Sequence, residues 1–371
     1  MSGPTLPAYG TGSLADLLPS IGAHLGVSGA VDRLGLAGAD GYVVLLIDGL
    51  GVEQLRAFAD HAPFLAGLPE RTITSSVPST TATAITSLGT GLPPGAHGLA
   101  GYSFWYPPIR DVLTTLRWPT GVSGEDVQPQ LTYLERLSGA GVECGTVAPA
   151  PFARSGLTTA ALRGARFWPV LNETDLAARV RLVASAVEVG DRTVTYCYER
   201  GLDHAGHPHG VGSGQWLAAL ARADDLARRL REALDGSVRL VVTGDHGMVN
   251  VPPDARLIVE DHPVLLRDVT ALAGEGRLRQ LMVADGAADA VASRWRDALG
   301  ERAWVLTREE AVAEGWFGDL APRFAGRFGD VLVAMAGDGA VMTRRLPREL
   351  GLVGMHGSLT SAEMLVPLLV S

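Results

Sequence analysis

The sequence predicts an α/β fold built on a mostly parallel sheet with helices packed against it. Three observations carry this. The runs Tyr42–Ile47, Thr193–Tyr198 and Val238–Thr243 have strand length and are close to uniformly apolar. Such runs lack a solvated face and read as strands of a covered sheet. Amphipathic stretches of helical period lie between them, at about 174–189 and 214–234. Each run also leads within a few residues to an Asp near glycine: Asp48, Asp203 and Asp245. The carboxyl ends of parallel strands share one edge, and open α/β sheets bind ligands there.

The chain of 371 residues suits one large catalytic domain with insertions. It is read as a single domain over 1–371, with cap segments inserted at about 102–175 and 251–335. Hydrophobic residues make up 47% and charged residues 19%, which excludes a disordered chain. A formal net charge of −9 argues against nucleic acid or an anionic membrane as the main partner. It leaves an anionic small-molecule substrate open, provided metal ions supply local positive charge. Two cysteines, Cys144 and Cys197, make no zinc-finger spacing and no disulfide framework. Met1–Ser20 has no basic start followed by an apolar core, and no apolar run approaches spanning length. A cytoplasmic location is the expectation.

Taken in order, the first 40 or so residues are punctuated by Gly and Pro, with short helices around Ser13–Leu18 and Ile21–Leu25. The strand Tyr42–Ile47 follows, then Asp48-Gly49-Leu50-Gly51 and a helix over about Val52–Ala59. Asp48 reads either as a cap of that helix or as a ligand. Arg71–Val77 is β-prone and Pro78 ends it. Ser79-Thr80-Thr81 then opens a helix with Ala82, Ile85 and Leu88 at helical spacing, closed by Gly89 and Gly91. A hydroxyl at a helix N-terminus after a strand sits where backbone N–H groups favour an anion. It can cap the helix, or attack a phosphorus centre held there.

His97, in the turn Thr90 to Gly98, reads as a structural hydrogen-bonder or a ligand. The aromatic group Tyr102 to Tyr106 reads as packing or as a pocket wall. A helix at Leu131–Leu137 and a strand at Val142–Val147 come next. After Thr193–Tyr198, the turn Asp203-His204-Ala205-Gly206-His207-Pro208-His209 crowds one carboxylate with three imidazoles. Asp203 and His207 at D-x-x-G-H spacing can reach one divalent ion, and that ligand mixture suits zinc and its neighbours. His204 and His209 are left as supporting or structural. Val238–Thr243 ends in Gly244-Asp245-His246-Gly247, where an irregular turn lets adjacent residues converge. From Val251 to Leu350 the pattern is αβ with no chemical cluster, and the candidate strands are Leu281–Val283, Trp304–Thr307 and Asp330–Met335. His356 lies in a Gly-flanked loop before the closing strand Met364–Val370.

Asp48, Asp203, Asp245, His207, His246, His356 and Thr81 can thus meet at one sheet edge. Three carboxylates, three imidazoles and a hydroxyl would make a two-metal site, with cations roughly 4 Å apart, suited to in-line displacement at phosphorus. In this order the motifs Ile47-Asp48-Gly49, Pro78-Ser79-Thr80-Thr81, Thr90-Gly91-Leu92 to His97-Gly98, Asp203 to His207, Gly244 to Gly247 and His356-Gly357 resemble the alkaline phosphatase superfamily. Within it they look most like the nucleotide pyrophosphatase/phosphodiesterase branch. The likeness runs from about Tyr42 to Val370.

That resemblance implies a three-layer sandwich with helices on both faces of the sheet and a small inserted cap. It implies two zinc ions and a covalent phospho-enzyme. Thr81 matches the nucleophile, with Thr80 and Ser79 as alternatives if the register shifts. One metal would be held by Asp48, Asp245 and His246, next to Thr81. The other would be held by Asp203, His207 and His356 and would stabilise the leaving oxygen. The implied substrate is a small phosphate ester or nucleotide. In the branch an Asn after the His-Gly contacts a non-bridging phosphate oxygen. Tyr102 stands at that position, so a phenol would donate the bond or the phosphate would sit differently. No Cys-x-Pro-x-Arg is present, which excludes a formylglycine sulfatase. A phosphomonoesterase or a phosphonate hydrolase cleaving a C–P bond would use the same metals. A monoesterase adds cations around the terminal oxygens, for which Arg110, Arg117 and Arg154 are candidates. A metal-stabilised binding module would show a damaged nucleophile or ligand, and the sequence shows neither.

Overall fold

The computed structural model describes residues 3–371. Its centre is a seven-stranded sheet of β1 (Gly41–Ile47), β2 (Glu70–Thr74), β3 (Glu143–Pro149), β4 (Arg166–Val170), β5 (Thr193–Glu199), β6 (Val238–Thr243) and β7 (Leu365–Val370). The spatial order is β2-β7-β6-β1-β5-β3-β4. The run β6-β1-β5-β3-β4 is parallel throughout, and β7 alone is antiparallel to its neighbours β6 and β2. A mostly parallel sheet is therefore what the sequence expected and what forms.

All seven residues of β1 are buried. Their alternation explains the uniform apolarity. Val44 and Leu46 enter a core with Leu17, Leu18, Ile21, Leu88 and Leu134, while Val43, Leu45 and Ile47 enter another with Trp216, Leu220 and Leu226. Successive strand side chains point to opposite faces, so both faces of β1 are covered by helices. The long helix Gly214–Ala233 covers one of them and buries Trp216 completely.

A second, antiparallel sheet is formed by Val269–Glu275, Leu278–Val283, Val331–Met335 and Ala303–Thr307, in that spatial order. Helix Ala288–Leu299 packs on it through Val291, Ala292 and Trp295. A third apolar cluster, including Phe104, Trp316, Phe317, Phe324 and Leu332, reaches Val77 and Ala82. It ties this sheet to the start of the helix Thr81–Thr90. The second sheet thus lies within the expected insert 251–335.

The other expected insert, 102–175, divides. Ser103–Tyr106 and Asp111–Thr114 form a hairpin, but β3 and β4 belong to the main sheet. β3 pairs in parallel with β5 through the apolar run anticipated at Val142–Val147. β4 carries Pro169, which argues against a strand; as the outermost strand it has a free edge that tolerates proline. Cys144 and Cys197 are both buried and free, and burial pushes each thiol up to about 11. Among the described residues no helix is long and apolar enough to cross a membrane.

Candidate active site with paired metal-ligating groups

The site assembles where β1, β5 and β6 end. Asp48 directly follows β1, and its backbone N–H donates to the Glu199 carbonyl of β5 at 2.8 Å. Asp203 sits in the first turn of the helix Gly201–His209, and its N–H donates to the Asp48 carbonyl at 3.1 Å. Asp245 accepts the Gly49 N–H and its neighbour's own N–H, each at 3.0 Å on Oδ1. Three strand ends are thereby laced together by backbone. Gly49 has φ +80°, and a Cβ there would stand 3.2 Å from the Asp203 backbone. Only glycine fits that turn without strain.

Two groups of potential ligands result. Asp48, Asp245 and His246 offer atoms within 4.8 Å of one another, and so do Asp203, His207 and His356. His246 Nε2 lies 3.5 Å from Asp48 Oδ1 and 3.4 Å from Asp245 Oδ2. His207 Nε2 lies 3.3 Å from Asp203 Oδ2, and His356 Nε2 lies 3.6 Å from Asp203 Oδ1. The groups adjoin, because the His246 and His356 rings stack with centroids 3.6 Å apart.

The imidazole tautomers fit metal binding. Nδ1 of His207, His246 and His356 each lies 2.9 Å from a backbone carbonyl, of Gly354, Gly247 and Ser79 respectively. A carbonyl only accepts, so Nδ1 carries the proton and Nε2 presents its lone pair to the site. His97 is the contrast. Its Nδ1 accepts the Leu99 N–H at 3.1 Å and its Nε2 donates to Ser87 Oγ at 3.0 Å. Both nitrogens are used, and complete burial holds the ring neutral with its pKa down to about 3. His97 is a buried hydrogen-bonder outside the site. His204 and His209 are exposed.

The carboxylates fit as well. Asp203 Oδ1 and Asp245 Oδ2 are buried with no hydrogen-bond partner. Burial, reinforced by Asp245 and Asp203, holds the Asp48 carboxyl well above the usual range. Burial, with His246 and His207 nearby, holds His356 well below its ordinary value, in the neutral form that ligates. Unpaired buried carboxylate oxygens are costly, and divalent cations would remove that cost. Carboxylate oxygens and neutral imidazoles at two such centres suit zinc and similar ions.

The three consecutive hydroxyls have separate places. Thr80 is the N-cap of the helix Thr81–Thr90, and its Oγ1 accepts the Thr83 N–H. Ser79 is buried, with Oγ donating to the Ser358 carbonyl at 2.7 Å and accepting the Gly357 N–H at 3.2 Å. Thr81 is half-buried, and its Oγ1 lies 3.2 Å from His246 Nε2 and 3.4 Å from Asp48 Oδ1. Only Thr81 of the three turns its hydroxyl to the ligand group. Tyr102 stands at the head of the hairpin, half-buried, with its carbonyl accepting from Thr115 N–H and Oγ1 at 2.9 and 3.0 Å.

Sequence reasoning missed two sets of residues. Tyr198, buried on β5, donates its phenol to Asp48 Oδ2, leaving Oδ1 for His246 and Thr81. It was legible only as an apolar strand residue, because its partner Asp48 lies 150 residues away in the chain. The second set is the buried arginines Arg277 and Arg279 with Glu275, Glu349 and Glu363. Arg277 forks onto both oxygens of Glu363, at 3.0 and 2.7 Å, and Glu363 Oε1 accepts the Ser358 N–H at 3.1 Å. That pair pins the loop behind His356. Arg110 and Arg154 are exposed, and the exposed Arg117 lies near Tyr102.

Comparisons with known proteins agree with this geometry. Residues 42–359 match the family model of type I phosphodiesterase / nucleotide pyrophosphatase. Murine ectonucleotide pyrophosphatase/phosphodiesterase 5, in an inactive form in complex with AMP, is similar in structure with a TM-score of 0.69 at 16% identity, over 88% of this chain and 87% of that one. Phosphonoacetate hydrolase from Sinorhizobium meliloti 1021, in complex with phosphonoformate, is similar with a TM-score of 0.67 at 20% identity, over 88% and 89%. These likenesses establish the fold, an alkaline-phosphatase-like α/β sandwich. In sequence, human GPI ethanolamine phosphate transferase 3, catalytic subunit, is 31% identical over 86 residues, which is 22% of this chain and only 8% of that protein. The match over residues 42–359 takes in every candidate ligand and Thr81, and the chain belongs to the type I phosphodiesterase/nucleotide pyrophosphatase family of the alkaline phosphatase superfamily.

Proposed function

We propose that this protein hydrolyses phosphate esters, with diesters or nucleotide pyrophosphates as the preferred class, through a covalent phospho-Thr81. The observation that carries this is the Thr81 hydroxyl, set at a helix N-terminus and 3.2 Å from His246 Nε2 within one ligand group, beside a second. Asp48, Asp245 and His246 would hold one divalent cation, and Asp203, His207 and His356 the other, with zinc as the ion that best suits the donors. Two such cations supply Lewis-acid stabilisation of the attacking and leaving oxygens.

The chain's own residues do the rest. The Thr81 hydroxyl oxygen lies 3.2 Å from His246 Nε2 and 3.4 Å from Asp48 Oδ1, so it is aimed into the site beside the residues that would hold the cation. The oxygen attacks phosphorus in line, a P–O bond to Thr81 forms, and the bond to the leaving alcohol or phosphate breaks. Water then cleaves phospho-Thr81 and restores the hydroxyl. The helix Thr81–Thr90 starts at this point, and its N-terminal dipole would favour the developing negative charge. Tyr102 would border the phosphate. Phosphomonoester or phosphonate hydrolysis is the alternative on the same ligands. The family match favours diesters; the buried Arg277 and Arg279 are committed to Glu363 and Glu349, which leaves the exposed Arg117 near Tyr102 as a candidate for the added cation a monoesterase needs. The two unpaired buried thiols favour a reducing compartment, and we place the protein in the cytoplasm.

The test compares bis-p-nitrophenyl phosphate with p-nitrophenyl phosphate, using wild type and Thr81→Ala, with metal content measured on the same samples. The expected result is diester preference, about two zinc ions per chain and loss of turnover in Thr81→Ala. Monoester preference with the same Thr81 dependence would move the substrate class. Full activity in Thr81→Ala would sink the nucleophile.

A further inference from the structure

We propose that the segment Thr5–Gly12 is a strap that keeps Thr81 in register with the candidate ligand His356, and that Tyr9 is its positioning residue. This rests on the reading of Thr81 as the attacking hydroxyl and adds the part of the chain that holds that hydroxyl in place.

The backbone creates the need for a strap. β2 ends at Thr74 and the helix starts at Thr81, and residues 75–80 between them form neither helix nor strand. No ladder of hydrogen bonds fixes this stretch, so the place of the Thr81 hydroxyl depends on what else grips it. A misplacement of about 1 Å can cost on the order of 100-fold in rate.

Thr5–Gly12 grips both sides of the site. The Thr74 N–H donates to the Gly12 carbonyl at 2.9 Å, and the Ala8 N–H donates to Thr74 Oγ1 at 2.8 Å. The segment thus lies along the end of β2. Tyr9 reaches further. Its phenol oxygen accepts the Val77 N–H at 3.2 Å and donates to the Trp316 carbonyl at 3.2 Å. Val77 is fully buried in the middle of the irregular stretch, where an amide without an acceptor is costly. On the other side, the Thr5 N–H donates to the Leu359 carbonyl at 2.8 Å, just after His356.

The two gripped segments are themselves joined. The Ser79 N–H donates to the Gly357 carbonyl at 3.1 Å, and Ser79 Oγ donates to the Ser358 carbonyl at 2.7 Å. The Ser79 carbonyl accepts from His356 Nδ1 at 2.9 Å. A shift of the stretch before Thr81 therefore carries the His356 ring with it. Trp316 extends the grip to the other end of the Thr81–Thr90 helix. There the Gly95 N–H donates to the Phe317 carbonyl at 2.8 Å, and the Ala321 N–H donates to the Gly95 carbonyl at 3.0 Å. At Gly318, with φ +64°, a Cβ would stand 3.3 Å from the Tyr9 ring and 2.7 Å from Pro93. Tyr9 is thus packed between the approach to Thr81 and the turn at Gly318, and its phenol ties one to the other.

The test measures bis-p-nitrophenyl phosphate turnover, zinc content and amide hydrogen exchange on zinc-loaded wild type, Tyr9→Phe and Thr74→Val. Phe keeps the ring and loses both hydrogen bonds of the phenol. Val removes the acceptor of the Ala8 N–H and leaves Tyr9 in place. Tyr9→Phe should lower kcat about tenfold, the effect of a displacement well short of 1 Å, with KM and zinc content within about twofold. Peptides covering 75–80 and 356–360 should exchange faster together, and those of β1 and β6 should not. Thr74→Val should give the same pattern at smaller amplitude. In a Thr81-dependent wild type, a Tyr9→Phe kcat within about twofold would overturn the strap and leave the nucleophile standing. Exchange that rises along the whole chain, with zinc lost in parallel, would also overturn it, because that marks a general loss of stability. If the diester is not cleaved, or Thr81→Ala cleaves it, the hydrolase reading falls and exchange alone decides the strap. Joint release of 75–80 and 356–360 upholds it, and no release refutes it.

Discussion

Replacing Tyr198 by Phe should weaken one metal position and spare the other. The phenol donates to Asp48 Oδ2, while Asp48 Oδ1 faces His246 and Thr81. The two carboxylate oxygens are thus divided between a protein donor and the ligand face. The ring lies 6.4 Å from Tyr196 at 15° and 6.2 Å from Phe152, in surroundings where Phe fits without repacking. The change therefore removes little except one hydrogen bond to Asp48, which is ionised when it holds a cation. Such bonds contribute about 1.5–3 kcal/mol. Loss of an outer partner of a ligand lowers metal affinity about 10–100-fold, or roughly 1.4–2.7 kcal/mol, which is the same range. Titration against a chromophoric zinc chelator, fitted to two sites, reads this directly. One site should weaken by about that factor, and the site of Asp203, His207 and His356 should stay within about threefold. Two sites weakened equally would mean that Tyr198 supports the fold in general. Two sites unchanged would mean that Asp48 needs no such partner.

Further outcomes follow from other parts of the structure. Thr80→Ala should retain turnover and lose about 0.5–2 kcal/mol in urea unfolding, because Thr80 caps the helix; a dead but stable Thr80→Ala would reassign the nucleophile. Burial holds the His97 pKa down to about 3, so the unfolded chain takes up a proton at His97 that the folded chain refuses. Stability from this source is complete above about pH 6.5 and falls on acidification, by up to roughly 1.4 kcal/mol per unit until about pH 3. His97→Gln should flatten that slope in urea midpoints taken across the range, and an unchanged slope would refute the assignment. The Arg277–Glu363 pair has both side chains fully buried. Glu363→Gln should cost about 3–5 kcal/mol, as expected for a buried charge left unpaired. A loss below about 1 kcal/mol in chemical denaturation would show the pair to be dispensable.

The parts legible in the sequence were those in which one signal dominates. β1, β5 and β6 announced themselves because burial on both faces leaves an apolar run, and Asp48, Asp203 and Asp245 stood out against it. Thr81 was legible as one of three adjacent hydroxyls, and only their separate hydrogen bonds distinguish it from Ser79 and Thr80. β4 was hidden by Pro169, whose effect depends on whether a strand lies at an edge. The strand expected at Leu281–Val283 begins earlier, at Leu278, because Arg279 and Gln280 read as solvent-facing yet are buried. Their partners lie far along the chain, and a sequence pattern carries no information on such pairings. The same reason hid Glu275 and Tyr198.

The position of β7 has a consequence for the order in which the protein can mature. β2 leads into Thr81, yet it joins the sheet only through β7, with Thr74 opposite Leu365 about 290 residues later. His356 arrives on the segment just before β7. During synthesis the parallel strands β1, β3, β4, β5 and β6 can pair as they emerge from the ribosome. β2, which leads toward Thr81, can join the sheet only after β7 has been made. The strand that leads to Thr81 and the segment that carries His356 are therefore fixed by the same late docking step, that of β7 on the sheet.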